Sequence, residues 1–206
     1  MKIGNVITAA VNTFLAVALL ALGGCATTDQ RVNFLYAPSY ISSGGSGDLY
    51  VVEPAGSKAG NASSQWILGK ITDTEGNQTG NITSPVRPVD LVVDAFSVEL
   101  KAAGYNAMAS TKSPDSATRV VVLESVNLEM KEIANLVKAE ADCRLKVTLK
   151  LMKNGKLIKN LYFEAGNKNT VVTDKAGVVD EILRTTLQDI MKQAVPEIVS
   201  NFEKPV

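Results

Sequence analysis

The chain predicts an α+β fold, a mainly antiparallel sheet of about four to six strands with two helices packed on one face. Three observations predict it. Cys143, Leu145, Val147, Leu149 and Leu151 alternate with Arg144, Lys146, Thr148 and Lys150, the period of a strand buried on one side. Val89, Val92, Val93, Phe96, Leu100 and Ala103 recur at helical spacing, as do Val179, Ile182, Leu183, Leu187, Ile190, Met191, Ala194 and Ile198. The elements run strand, strand, helix, strand, strand, hairpin, helix, an order too loose for the strict alternation of a parallel α/β fold.

Residues 26–47 read as a tether, flexible by composition through Ser42-Ser43-Gly44-Gly45-Ser46-Gly47. Fully extended, such a tether reaches roughly 70 Å. The alternative is that Val32-Asn33-Phe34-Leu35-Tyr36 docks as an edge strand. Leu49 to Glu53 is a first short strand, ended by Pro54, and Trp66 to Ile71 a second. Asp73 to Gly80 is a turn-rich loop or hairpin tip. Pro85 and Pro88 mark a helix start and Gly104 its stop. Tyr105 to Ala109 is a short strand and Thr118 to Met130 a longer one. On the longer strand Val120, Val122, Val126 and Leu128 share a face into which Glu124 intrudes, so either the face ends there or Glu124 has a basic partner. Residues 131–141 connect onward with room for a helical turn.

The register of the following hairpin is argued from charge. A two-residue Asn154-Gly155 turn sets Lys150 opposite Lys159, which destabilises. A three-residue turn, Lys153 to Gly155, sets Leu145 opposite Phe163, Val147 opposite Leu161, Leu151 opposite Leu157 and Arg144 opposite Glu164, and is the expectation. It requires Phe163 inside and Tyr162 outside. The last helix starts near Lys175, and Pro196 predicts a kink or break near Ala194.

At the N-terminus Lys2 precedes an apolar run from Val6 to Leu22 that closes in Leu22-Gly23-Gly24-Cys25. Charge, apolar run and small residues in that order are the pattern of a cleaved export signal. The polar interruptions at Thr8, Asn12 and Thr13 disfavour an uncleaved membrane span. The last four residues resemble the lipobox of bacterial lipoproteins, which implies cleavage after Gly24 and lipid on the Cys25 thiol. Position 26 is Ala rather than Asp, and in two-membrane cells this resemblance implies sorting to the periplasmic face of the outer membrane. The chain thus divides into a signal over 1–24, a lipidated cysteine and tether over 25–47, and a single α+β periplasmic domain over 48–206.

Composition excludes several classes. There are 21 basic and 21 acidic residues, and removing Lys2 with the signal leaves the remainder at −1, which argues against nucleic-acid binding. The absence of histidine removes the commonest general base and metal ligand. With Cys25 lipidated, Cys143 has no disulfide partner and reads as a small buried hydrophobe. No phosphate loop or dinucleotide fingerprint is present, so no cofactor is expected. Asp73, Glu75 and Asn77 alternate like calcium ligands, but Gly76 is misplaced and Ser84 stands where a bidentate Glu belongs, so a polar turn is expected and no metal. Asp90 and Asp94 lie one turn apart off the apolar stripe and read as solvated. An enzyme is not expected.

Two surfaces remain as partner candidates. Leu91, Ala95, Val98 and Ala102 form a second, smaller apolar stripe on the first helix, either covered by the tether or open to a partner. Arg144, Lys146 and Lys150 give the outer sheet face a basic stripe, suited to an acidic partner or lipid head groups unless Glu164 neutralises it.

With the lipobox at Cys25, the helix Pro88 to Gly104 ending in Ala103-Gly104-Tyr105, the hairpin with Lys153-Asn154-Gly155 and Lys159-Asn160-Leu161-Tyr162, and the terminal helix, the chain resembles the YajG-type lipoproteins of Gram-negative bacteria. The Asp-Gln-Arg-like element such proteins carry after the first strand is replaced here by Glu53-Pro54-Ala55. The resemblance implies an outer-membrane lipoprotein with an α+β domain and supplies no catalytic residues. The functional expectation is a non-enzymatic binding or assembly module holding an envelope partner near the membrane. The alternative is an accessory subunit of an envelope machine, such as a lipid or lipopolysaccharide transporter or a peptidoglycan synthase.

Overall fold

A computed structural model describes residues 29–33, 35–38, 42–56, 65–135, 137–172 and 177–204. The signal and Cys25 lie outside the described residues. Eight strands and two helices are present among those described: β1 Gln30–Arg31, β2 Asp48–Val52, β3 Trp66–Thr72, β4 Gln78–Ser84, α1 Pro88–Ala102, β5 Asn106–Ser110, β6 Arg119–Ala134, β7 Ala139–Lys153, β8 Lys156–Val171 and α2 Val178–Glu203. The α+β class holds. The strand number exceeds the expectation, and the sheet is mixed rather than mainly antiparallel.

β6 is the spine. On one edge it pairs antiparallel with β7, which pairs antiparallel with β8. On the other edge two short strands share it end to end. β2 runs parallel to its first third, Tyr50 opposite Val120, and β3 runs parallel to its last third, Gly69 opposite Met130. β5 adds parallel to β2, β4 antiparallel to β3, and β1 parallel to β4. The expected loop or hairpin tip over Asp73 to Gly80 holds the β3–β4 turn and the first residues of β4, and the rest of β4 carries little strand signal because its core-facing side is nearly bare of apolar side chains: Gly80, Ile82 and Ser84 are buried, and only Ile82 is a large hydrophobe.

Glu124 interrupts the apolar face because it is the extra residue of a β-bulge between Leu123 and Ser125. The bulge exchanges the faces. Val121 and Leu123 point to the helices before it, and Val126, Leu128 and Met130 after it, opposite Val147, Leu145 and Cys143. The extra carboxylate pairs with Lys150.

The hairpin expectation is corrected. The turn has two residues, Asn154 (φ 52°) and Gly155 (φ 74°), with Lys153 opposite Lys156. A second bulge, at Ile158, shifts the ladder so that Val147 meets Phe163, Leu145 meets Ala165, Lys146 meets Glu164 and Lys150 meets Asn160. The register lies two residues from the expected one, and an even shift leaves the faces unchanged. Phe163 is 8% exposed and Tyr162 56%. Among the described residues of 131–141 there is no helical turn; β6 runs to Ala134 and β7 starts at Ala139.

α2 packs on β7 and β8, and α1 on β5, β6 and β2, with the helices touching each other over one continuous core. α2 runs through Pro196 to Glu203 without the expected break. Proline removes one helical N–H there, while Val195, Ile198, Val199 and Phe202 stay buried on either side and hold the axis.

The stretch read as a tether is docked where it is described. Gln30–Arg31 pair with β4, and Val32 N donates to Thr83 O at 2.8 Å. Tyr36 Oη donates to Glu99 Oε1 at 2.6 Å, and Gly45 N to Ala103 O at 3.0 Å. Asp29 also belongs to the folded body: its Oδ1 accepts from Asn81 N at 2.8 Å.

Candidate functional site

Of the residues singled out from the sequence, Cys25 lies outside the described residues. The apolar stripe on α1 is not an open patch. Ala95 is fully buried, Leu91 and Val98 are half-buried, and only Ala102 is exposed. Leu91 packs on the core, as does Tyr36, whose hydroxyl bonds Glu99 on the same helix. The partner reading of this stripe is corrected.

The basic stripe on β7 does stand on the outer sheet face, and acids interleave it. Lys150 pairs with Glu124, Lys146 with Glu164 at 3.5 Å, and Arg144 lies opposite Glu129. Hydrogen bonding from Tyr162 and the Lys146 and Arg144 charges hold the Glu164 carboxyl below its ordinary range. The three cations and the acids on the flanking strands β6 and β8 form a checkered rather than a uniformly positive surface.

A cleft of about 370 Å³ opens where the carboxyl ends of β2 and β5 meet the start of α1. Arg87, just before α1, clamps Asp90 through Nε (2.8 Å) and Nη2 (2.6 Å) and reaches Glu53 at 2.9 Å. Asp90 is thus tied to a cation rather than freely solvated. Burial, then the Asp90 charge, push the Asp94 carboxyl above its ordinary value. The Ser110 hydroxyl in the cleft lining donates to Lys112 O at 2.6 Å.

Cys143 is fully buried, and desolvation pushes its thiol up to about 12, which suits a packing role and not a reactive one. Asp73 spends both carboxylate oxygens inside its turn, on Glu75 N, Asn77 N and Asn77 Nδ2 at 2.9–3.0 Å. No group of metal-ligating side chains occurs among the described residues, and no described helix is long and apolar enough to cross a membrane.

Sequence reasoning missed Glu132. It faces the core from β6 between Ile71 and Ala141, is 4% exposed, and its Oε2 has no hydrogen-bond partner among the described residues. Burial alone raises its pKa. The strict alternation Leu128, Met130, Glu132 was the signal that placed it inside.

No family model matches the chain, and no curated protein matches it. Among solved structures, it is similar to a Xanthomonas campestris protein of the DUF330 family, with 14% identity, a TM-score of 0.50, and coverage of 86% of this chain and 97% of that one. A minor lipoprotein of Acinetobacter baumannii matches at 13% identity and TM-score 0.41 over 75% of this chain and 94% of that one. Rare lipoprotein B of Shewanella oneidensis matches at 9% identity and TM-score 0.34 over 64% and 93%. The Xanthomonas likeness is one of fold.

Proposed function

We propose that this chain is a lipid-anchored lipoprotein of the outer membrane, facing the periplasm, and that it is a non-enzymatic binding or assembly module of YajG type. The observation that carries the reading is the order Lys2, apolar run, Leu22-Gly23-Gly24-Cys25, with Asp29, four positions on, already bonded into the folded domain. Lipid on Cys25 would hold that domain at the bilayer, and more than one acyl chain is needed to hold it stably. The checkered outer face of β6, β7 and β8, with Arg144, Lys146 and Lys150, is the surface offered to an envelope partner.

Membrane fractionation tests this. Wild-type protein is expected in the outer-membrane fraction and Cys25→Ser protein in the soluble periplasm. Soluble wild-type protein would overturn the anchor, and recovery in the inner-membrane fraction would overturn the sorting. A pull-down of the anchored protein separates the two roles. One dominant stable complex marks an accessory subunit of a machine.

A further inference from the structure

The direction in which the chain leaves the fold assigns it a membrane-facing end. β1 runs parallel to β4, β4 antiparallel to β3, and β3 parallel to β6. β1 therefore runs opposite to β6, and its N-terminal end lies toward the Ala134 end of β6. Four Cα steps separate Cys25 from Asp29, at most about 14 Å, so the leash is a fifth of the length the composition suggested. The far end of the sheet, the Asn154-Gly155 turn beside Arg119, lies roughly 45 Å away along β6.

The Ala134 end carries a second observation that points to lipid. Its β6–β7 turn reads Asn135-Leu136-Val137-Lys138, apolar at the tip where turns ordinarily hold polar residues. Asn135 Oδ1 accepts from both Val137 N and Lys138 N at 2.8 Å, which fixes the turn and leaves the Val137 side chain 69% exposed. Val172, just beyond β8 at the same end, is 66% exposed. Lys138 stands beside them with Glu140 at 3.8 Å.

We infer that this end of the sheet, at Asn135, Val137, Lys138 and Val172, is a bilayer-contacting surface that seats Val137 and Val172 in the phospholipid head-group layer. The inference rests on the lipidated Cys25 proposed above. Anchoring would then fix orientation as well as location: α1, the Arg87 cleft and the β7–β8 tip would be held away from the bilayer. Two valines contribute little affinity by themselves, but on a short leash they need only choose which face rests on the membrane.

The test separates this from the anchor. The processed chain, which contains every described element, is coupled through the Cys25 thiol to a maleimide lipid in phosphatidylcholine–phosphatidylglycerol vesicles; buried Cys143 does not compete. A water-soluble amine-acylating reagent then reads each lysine by mass spectrometry. Lys138 is expected to react severalfold more slowly on vesicles than free in solution, with Lys156 at the far turn unchanged. Val137→Glu with Val172→Glu, both at exposed positions, is expected to restore Lys138 reactivity. Unchanged Lys138, or protection of Lys156 instead, overturns the surface. Because the lipid is attached chemically, this result is independent of whether Cys25 is acylated in the cell.

Discussion

Along its β7 edge, β6 is paired from Arg119 to Ala134 with a single bulge, whereas its other edge is divided between β2 and β3, which approach from different parts of the chain. The first edge belongs to a three-strand ribbon joined by two tight turns. Each of its contacts is close in sequence, and α2 packs on its strands β7 and β8. The second edge is assembled from parallel pairings that need α1 and long connections to close. Core-facing Val126 and Leu128, between the β2 and β3 pairings, are half-buried, while Val147 and Leu145 opposite them on β7 are fully buried. The stability of the domain is therefore concentrated in the ribbon, and the divided edge is where the chain tolerates polar groups, bulges and close backbone contacts.

The strongest way to break that contrast is to delete matched side chains. Leu149→Ala, fully buried on β7, is expected to cost about 2–5 kcal/mol in urea denaturation, while Leu128→Ala, half-buried between the β2 and β3 pairings, costs distinctly less. Equal losses would mean that the two edges share the load. Gly69→Ala probes the divided edge from the other side. An added Cβ there would lie 2.0 Å from the Met130 carbonyl oxygen, so β3 must move from β6, and a loss of about 1–3 kcal/mol is expected. Wild-type stability in that variant would show that the contact is loose.

Glu132 sharpens the comparison by pH. Burial raises its folded-state pKa above the unfolded value, so its contribution is fully present at acid pH and is lost as pH rises through the folded pKa. Glu132→Gln is expected to be more stable than wild type at neutral pH by about 1 kcal/mol, with the gap closing on acidification. A gap that stays constant with pH would remove the titration from the account. The smallest effect belongs to the outer face of the ribbon. A double-mutant cycle on Glu124 and Lys150 should give a coupling of about 0.2–1 kcal/mol that fades in high salt.

The same contrast explains what was legible. The β7 alternation and the α2 stripe announce themselves because each segment buries one face of its own, and every apolar position named on α2 is buried. The faces of the β7–β8 hairpin were readable, but its register was not, since Ile158 adds a residue that no local pattern marks. Glu124 looked like an intruder for the same reason. β4 and β1 were illegible because their pairing is decided by Ile82, Thr83 and the Asp29–Asn81 bond, contacts across some fifty residues, and not by alternation. Of the candidate sites, the Leu91 stripe failed because the residues called a tether lie on the body, and the Val137 turn was passed over because its exposure depends on where the strands stop.

Intact mass spectrometry of the protein purified from its own membranes tests the account most directly. A polypeptide beginning at Cys25, carrying a diacylglyceryl thioether and an acylated amino group, is the predicted species. A chain retaining Met1, or one with a free thiol at position 25, would contradict it.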